Sequence, residues 1–130
     1  MAYYFDTSAL VKLVVAEPET AALREWLGSA DRGAISCDLA RTELLRAVRR
    51  AAPDRVTQAR TVIASITLLE VTTAIFEEAS RLDPAILRSL DAIHLAAALA
   101  LGDDLDGFVT YDDRLAQAAA ANGIQVIRPA

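Results

Sequence analysis

Asp6, Glu43, Asp91 and Asp112 are the residues of this sequence best placed to do chemistry. Each closes an apolar run or lies within an apolar helix-forming stretch, where a carboxylate is costly to bury unless positive charge shares the site. No run of Lys or Arg is placed to neutralise all four. A hard divalent cation would, because ions such as Mg²⁺ take oxygen ligands. Four acids around such an ion point to metal-assisted phosphoryl chemistry, in which bound water is acidified and aimed at phosphorus.

The elements that would gather these acids can be read along the chain. Ala2–Phe5 is a short apolar strand closed by Asp6, and Thr7 and Ser8 offer capping hydroxyls to a helix continuing through Val15. Pro18 suits the first turn of a helix from Glu19 to Leu27. Gly33–Cys37 reads as a second strand, and Asp38 as the N-cap of a helix through Ala51 that Pro53 stops. Further helices are expected over Asp54–Ser65, Thr73–Leu82, Leu90–Leu101 and Asp112–Ala121, with strands at Thr67–Thr72, Phe108–Thr110 and Ile124–Ile127. Asp103–Gly107 reads as a polar turn. Strands alternating with helices predict an α/β fold, a parallel sheet covered on both faces.

In such sheets ligands bind beyond the carboxyl ends of the strands, where Asp6 and Asp112 would project. Each would also serve as an ordinary N-cap. Glu43 falls on the flank of the apolar stripe Leu39, Ala40, Leu44, Ala47, Val48 and Ala51, and an i,i+3 pair with Arg46 is its structural alternative. Asp91 carries the most weight. Leu90–Leu101 is apolar around nearly its whole circumference, with only Asp91 and His94 polar and on the same side. A buried acid without a cationic partner favours a functional role for Asp91. The structural alternative is a helix cap that accepts a hydrogen bond from His94. As the sole histidine, His94 argues against zinc and reads as a packing or supporting residue.

Composition bounds the rest. The chain has 130 residues, 54% of them hydrophobic, which suits one domain with a real core. Cys37 is the only cysteine, so an internal disulfide is excluded and a reduced, buried thiol in a cytoplasmic protein is expected. No leader is visible and no apolar stretch is long enough to span a bilayer, so no membrane role is expected. The net charge of −5 gives nucleic-acid binding no global support. Local charge does: six of the twelve arginines fall between Arg41 and Arg60. Arg46 and Arg50, with Arg41 beside them, are candidates for phosphate contact, against the alternative of a solvated helix face.

DTSAL at Asp6–Leu10, ARTELLRA at Ala40–Ala47, LDAIHLAAAL at Leu90–Leu99 and FVTYDDRL at Phe108–Leu115 together resemble the PIN-domain ribonucleases. More narrowly, the chain resembles the VapC toxins of bacterial VapBC toxin–antitoxin pairs. The resemblance runs the full length, in order, and is sharpest at LDAIHLA and the following T-x-D-x-x-L.

That resemblance implies a single PIN-like domain over residues 1–130, a three-layer α/β/α fold with a short central parallel sheet. It implies Mg²⁺- or Mn²⁺-dependent endonucleolytic cleavage of RNA. The family's acidic quartet of catalytic metal ligands falls on Asp6, Glu43, Asp91 and Asp112, with Ser8 and Thr110 supporting them. Asp113 is a neighbouring acid left to cap the helix or accept from a nearby donor. A VapB-like antitoxin and a second copy of the chain are the implied partners. An antitoxin helix would lie on the apolar faces of Val11–Leu27 or Val56–Leu68, unless those faces turn into the core. Two rivals differ in class. A phosphoacceptor or haloacid-dehalogenase-like enzyme would use Asp6 as nucleophile but needs a late lysine, and the only lysine is Lys12. A non-catalytic PIN-like module would bind RNA or protein without turnover.

Overall fold

The computed structural model covers residues 1–130. Its five strands are β1 (Ala2–Phe5), β2 (Gly33–Cys37), β3 (Thr67–Leu69), β4 (Leu105–Val109) and β5 (Val126–Ile127). They form one parallel sheet in the order β3-β2-β1-β4-β5. The helices are α1 (Thr7–Lys12), α2 (Thr20–Gly28), α3 (Leu39–Ala51), α4 (Val56–Ser65), α5 (Thr73–Arg81), α6 (Ser89–Leu99) and α7 (Asp113–Ala121).

Alternation along the strands builds the three layers. Phe5 and Val109 point into one core with Leu10, Leu23, Leu44, Val48 and Ala59, so α1–α4 cover that face. Their neighbours Tyr4 and Phe108 point into the other core with Leu95, Leu115 and Ala118, beneath α5–α7. The strand order reverses at β1, whose neighbours are β2 and β4. The carboxyl ends of β1 and β4 therefore flank the crevice where parallel sheets take ligands.

Several expected boundaries move. α1 stops at Lys12, where Arg24 donates to the Leu13 carbonyl at 2.9 Å and closes the helix end. β4 starts inside the expected polar turn. Asp106 accepts from the Ala2 backbone N–H at 2.9 Å, and a Cβ at Gly107 would come within 2.9 Å of Ile127 Cγ1. The turn residues are thus sheet residues, because a carboxylate replaces a ladder contact and a missing side chain admits a neighbour. Asp38 holds the N-cap position of α3 but caps nothing with its side chain, pairing instead with Arg41 at 3.0 Å. The apolar faces proposed for an antitoxin helix turn inward: Val11, Leu13, Leu27, Val56, Val62 and Ile63 all pack against the first core. No helix is long and apolar enough to cross a membrane. Cys37 is a free, buried thiol.

Candidate active site

All four acids sit at or near the start of a helix; α1, α3 and α7 each follow a strand of the sheet, and α6 follows α5. Asp6 is the N-cap of α1 and Asp112 the N-cap of α7, while Asp91 lies in the first turn of α6 and Glu43 in the second turn of α3. The capping alternative is therefore true of Asp6 and Asp112, and it leaves both with acceptor capacity. Asp112 Oδ1 accepts from Leu115 N at 2.9 Å, and its second oxygen takes no protein donor.

Asp6 is the most tightly held. It is 3% exposed. Oδ1 accepts from Ser8 Oγ at 2.7 Å and Ala9 N at 3.1 Å, and Oδ2 accepts from Thr110 Oγ1 at 2.6 Å. Thr110 Oγ1 in turn accepts from Asp112 N at 3.1 Å, and Ser8 Oγ from Tyr111 N at 2.9 Å. Ser8 and Thr110 thus both donate to Asp6 and accept from the backbone after β4, and they tie β1 to β4. Burial pushes the Asp6 carboxyl above its ordinary range, more than the hydroxyl and amide donors pull it down.

Glu43 is held by groups that were not expected. Oε1 accepts from Thr7 Oγ1 at 2.8 Å and from His94 Nε2 at 2.6 Å. Arg46, the expected i,i+3 partner, is exposed and in no ion pair. His94 is the buried polar group of α6, at 2% exposure, and its Nδ1 meets Tyr4 Oη at 2.7 Å and Cys37 Sγ at 3.8 Å. A neutral ring accepts from Tyr4 and a charged ring donates to it. In either state Nε2–H is directed at Glu43. Burial pushes His94 down, but its hydrogen bonds to Cys37 and Glu43 outweigh this and raise it to about 10. Burial pushes Glu43 up, and the His94 bond and charge, with Thr7, bring it below the ordinary carboxylate range. The Tyr4–His94–Glu43 chain could not be read from spacing, because its members lie on β1, α6 and α3. The one trace was a polar His94 in an otherwise apolar helix.

Asp91 differs from expectation. It is half-buried, since the first turn of α6 opens towards solvent, and it makes no hydrogen bond to His94. Burial raises its carboxyl, and the like charges of Asp112 and Glu43 raise it further. Asp113 is exposed and neither caps α7 nor joins the acids; it pairs with Arg128 at 2.8 Å. Arg50, like Arg46, is exposed on α3 without an ion-pair partner.

No three His, Cys, Asp or Glu side chains are drawn close enough to hold an ion. The donor chemistry nevertheless suits a hard divalent cation. The four candidate groups present oxygen only, both His94 nitrogens are already engaged, and burial together with the like charges of Asp112 and Glu43 disfavours the Asp91 anion, which a cation would favour. Asp91 and Asp112 also line one wall-to-floor cleft of about 1030 Å³ between residues 83–91 and α7.

A family model described as the PIN domain matches residues 3–121. Ribonuclease VapC47 of Mycobacterium tuberculosis is 43% identical over 131 residues, covering 97% of this chain and 96% of that protein. Among solved structures, Mycobacterium tuberculosis VapC20, a Sarcin-Ricin loop cleaving toxin, superposes with a TM-score of 0.79 at 17% identity, over 98% of this chain and 99% of that one. A toxin-antitoxin complex from Klebsiella pneumoniae gives 0.71 at 19% identity over 98% of both chains. With a PIN domain spanning nearly its whole length and a full-length VapC relative, this chain belongs to the PIN-domain family, within its VapC ribonuclease group.

Proposed function

We propose that the chain is a divalent-metal-dependent endoribonuclease, the toxin of a type II toxin–antitoxin pair, with Mg²⁺ or Mn²⁺ as its metal. The carrying observation is the acidic edge itself. Asp6 is fixed between β1 and β4, Thr110 bonds both Asp6 and the Asp112 backbone, the charges of Asp112 and Glu43 act on Asp91, and no Lys or Arg is in an ion pair with any of the four. Asp6, Asp91, Glu43 and Asp112 would hold the ion. Held there, such an ion would supply an acidified water and would neutralise charge on the leaving oxygen. Ser8 and Thr110 orient the Asp6 oxygens, and His94 and Thr7 orient the Glu43 oxygen, as outer donors commonly do at metal sites. The expected products carry 5′-phosphate and 3′-hydroxyl ends.

Toxin function draws support from the VapC relatives and from the toxin–antitoxin assembly that shares the fold. The assigned protein partner is a VapB-like antitoxin, and a basic side chain from it would suit the acidic edge. The test is cleavage of total bacterial RNA by purified, antitoxin-free protein with Mg²⁺, with Mn²⁺ and with EDTA, beside Asp91→Asn. Discrete fragments that need both metal and Asp91 are expected. Cleavage that persists in EDTA or in the variant would refute the assignment.

A further inference from the structure

The cleft that ends on Asp91 and Asp112 contains two cations that sequence reasoning passed over, Arg88 and Arg114. Arg88 immediately precedes α6 and Arg114 is the second residue of α7, and both line the cleft beside the acids. Both are exposed and neither forms an ion pair, although Asp83, Asp91, Asp112 and Asp113 share the lining. Asp113 is already neutralised by Arg128 at 2.8 Å. If Asp91 and Asp112 serve a cation, as proposed above, the charge left in the cleft is two guanidiniums against Asp83 alone. That balance attracts phosphate, and a guanidinium fork recognises phosphate in two-point fashion. Arg46 and Arg50 do not line this cleft.

We propose that this cleft seats the single-stranded RNA segment on one side of the scissile phosphate, with Arg88 and Arg114 each holding a backbone phosphate. The inference rests on the nuclease reading for the RNA's orientation, and binding can be measured without turnover. The cleft is wide enough for a nucleotide, and Ile86, 90% exposed at its rim, offers apolar surface for a base.

The test is the affinity of a short, fluorescein-labelled, mixed-sequence single-stranded RNA, titrated at several salt concentrations with Ca²⁺ replacing Mg²⁺ to hold turnover down. Arg88→Ala/Arg114→Ala is compared with Arg46→Ala/Arg50→Ala and with the unaltered chain. Loss of two phosphate contacts is expected to weaken binding about tenfold or more and to flatten the log–log salt slope by about 1.4, at about 0.7 per contact. In cleavage of total RNA with Mg²⁺, the same variant should cut more slowly at low RNA concentration, and the deficit should shrink as RNA concentration rises. Unchanged affinity and slope in the Arg88/Arg114 variant would overturn the inference, as would a loss confined to the Arg46/Arg50 variant or no binding by the unaltered chain. Failure of the nuclease reading is separately visible as absence of metal-dependent cleavage by the unaltered chain.

Discussion

Asp6 and Asp91 are both candidate metal ligands, and the protein treats them in opposite ways. Asp6 is buried, accepts three hydrogen bonds and is bracketed by two strands. Asp91 is half-buried, accepts none, and is raised by burial and then by its acidic neighbours. One carboxylate is positioned before any ion arrives, and the other is left free to turn towards one. The candidate site thus has a fixed half, held by hydrogen bonds, and a half that lacks them.

The largest expected effects should make the two halves look alike. Asp6→Asn and Asp91→Asn should each lower metal-dependent cleavage by about 10³-fold or more, by removing a candidate ligand of the reacting metal. Single-turnover assays on total RNA would measure it; activity near that of the unaltered chain in either variant would break the assignment.

Thr110→Val separates the halves. It removes the donor to Asp6 Oδ2 and the acceptor for Asp112 N. Cleavage should fall about 10- to 100-fold, the range for lost outer donors at metal sites. Stability should fall by about 1–3 kcal/mol, because buried partners lose their hydrogen bonds. No comparable single change exists around Asp91, since nothing holds it. Equal urea midpoints for Thr110→Val and the unaltered chain would show that the fixed half is not fixed by Thr110.

The Glu43 side can be sharpened by pH. His94 is raised from 6.5 to about 10 in the fold. The charged ring is therefore bound more tightly by the folded chain than by the unfolded one. Its contribution is fully present below about pH 6.5 and is lost as pH rises towards 10. Metal-free protein should lose denaturant stability across that window, and His94→Gln should flatten the loss. A profile in the variant that parallels the unaltered chain would remove His94 as the cause.

The smallest effect has the opposite sign from the activity loss. The Asp91 carboxyl is raised, so the fold disfavours its charged form, and stability from it declines as pH rises above 3.8. Asp91→Asn should therefore be slightly more stable than the unaltered chain in EDTA near neutral pH, by less than about 1 kcal/mol for a partly exposed group. Mg²⁺ should reverse the order, because only the chain that binds the ion gains stability from it. A lower melting midpoint for the variant in EDTA would contradict the picture of a strained Asp91.

Much of this was legible in the residues. Apolar runs closed by Asp6 and Asp112 placed both acids at strand ends, and the family resemblance singled out Ser8 and Thr110, which bond Asp6. What could not be read were pairings across the sheet. Arg46 is one helical turn from Glu43, yet the partner is His94, 51 residues away in sequence, because α3 and α6 both start at the same edge. Asp91 was expected to be buried because its helix is apolar all round; its place in the first turn, where the chain enters from the surface, overrode that pattern. Arg88 and Arg114 were invisible because an isolated arginine carries no sequence signal until a cleft brings two together. Asp106 and Gly107 read as a turn because composition does not reveal a side-chain contact to a strand terminus.

The bond from Thr110 to Asp6 joins residues 104 apart in sequence. A ribosome-bound chain that has not yet released Phe108–Asp112 carries three of the four acids but lacks β4, the donor to Asp6 and the first turn of α7. Its Asp6 has no reason to be held in place. On the proposed metal site, nuclease competence therefore waits until Phe108–Asp112 has been released and β4 has folded beside β1.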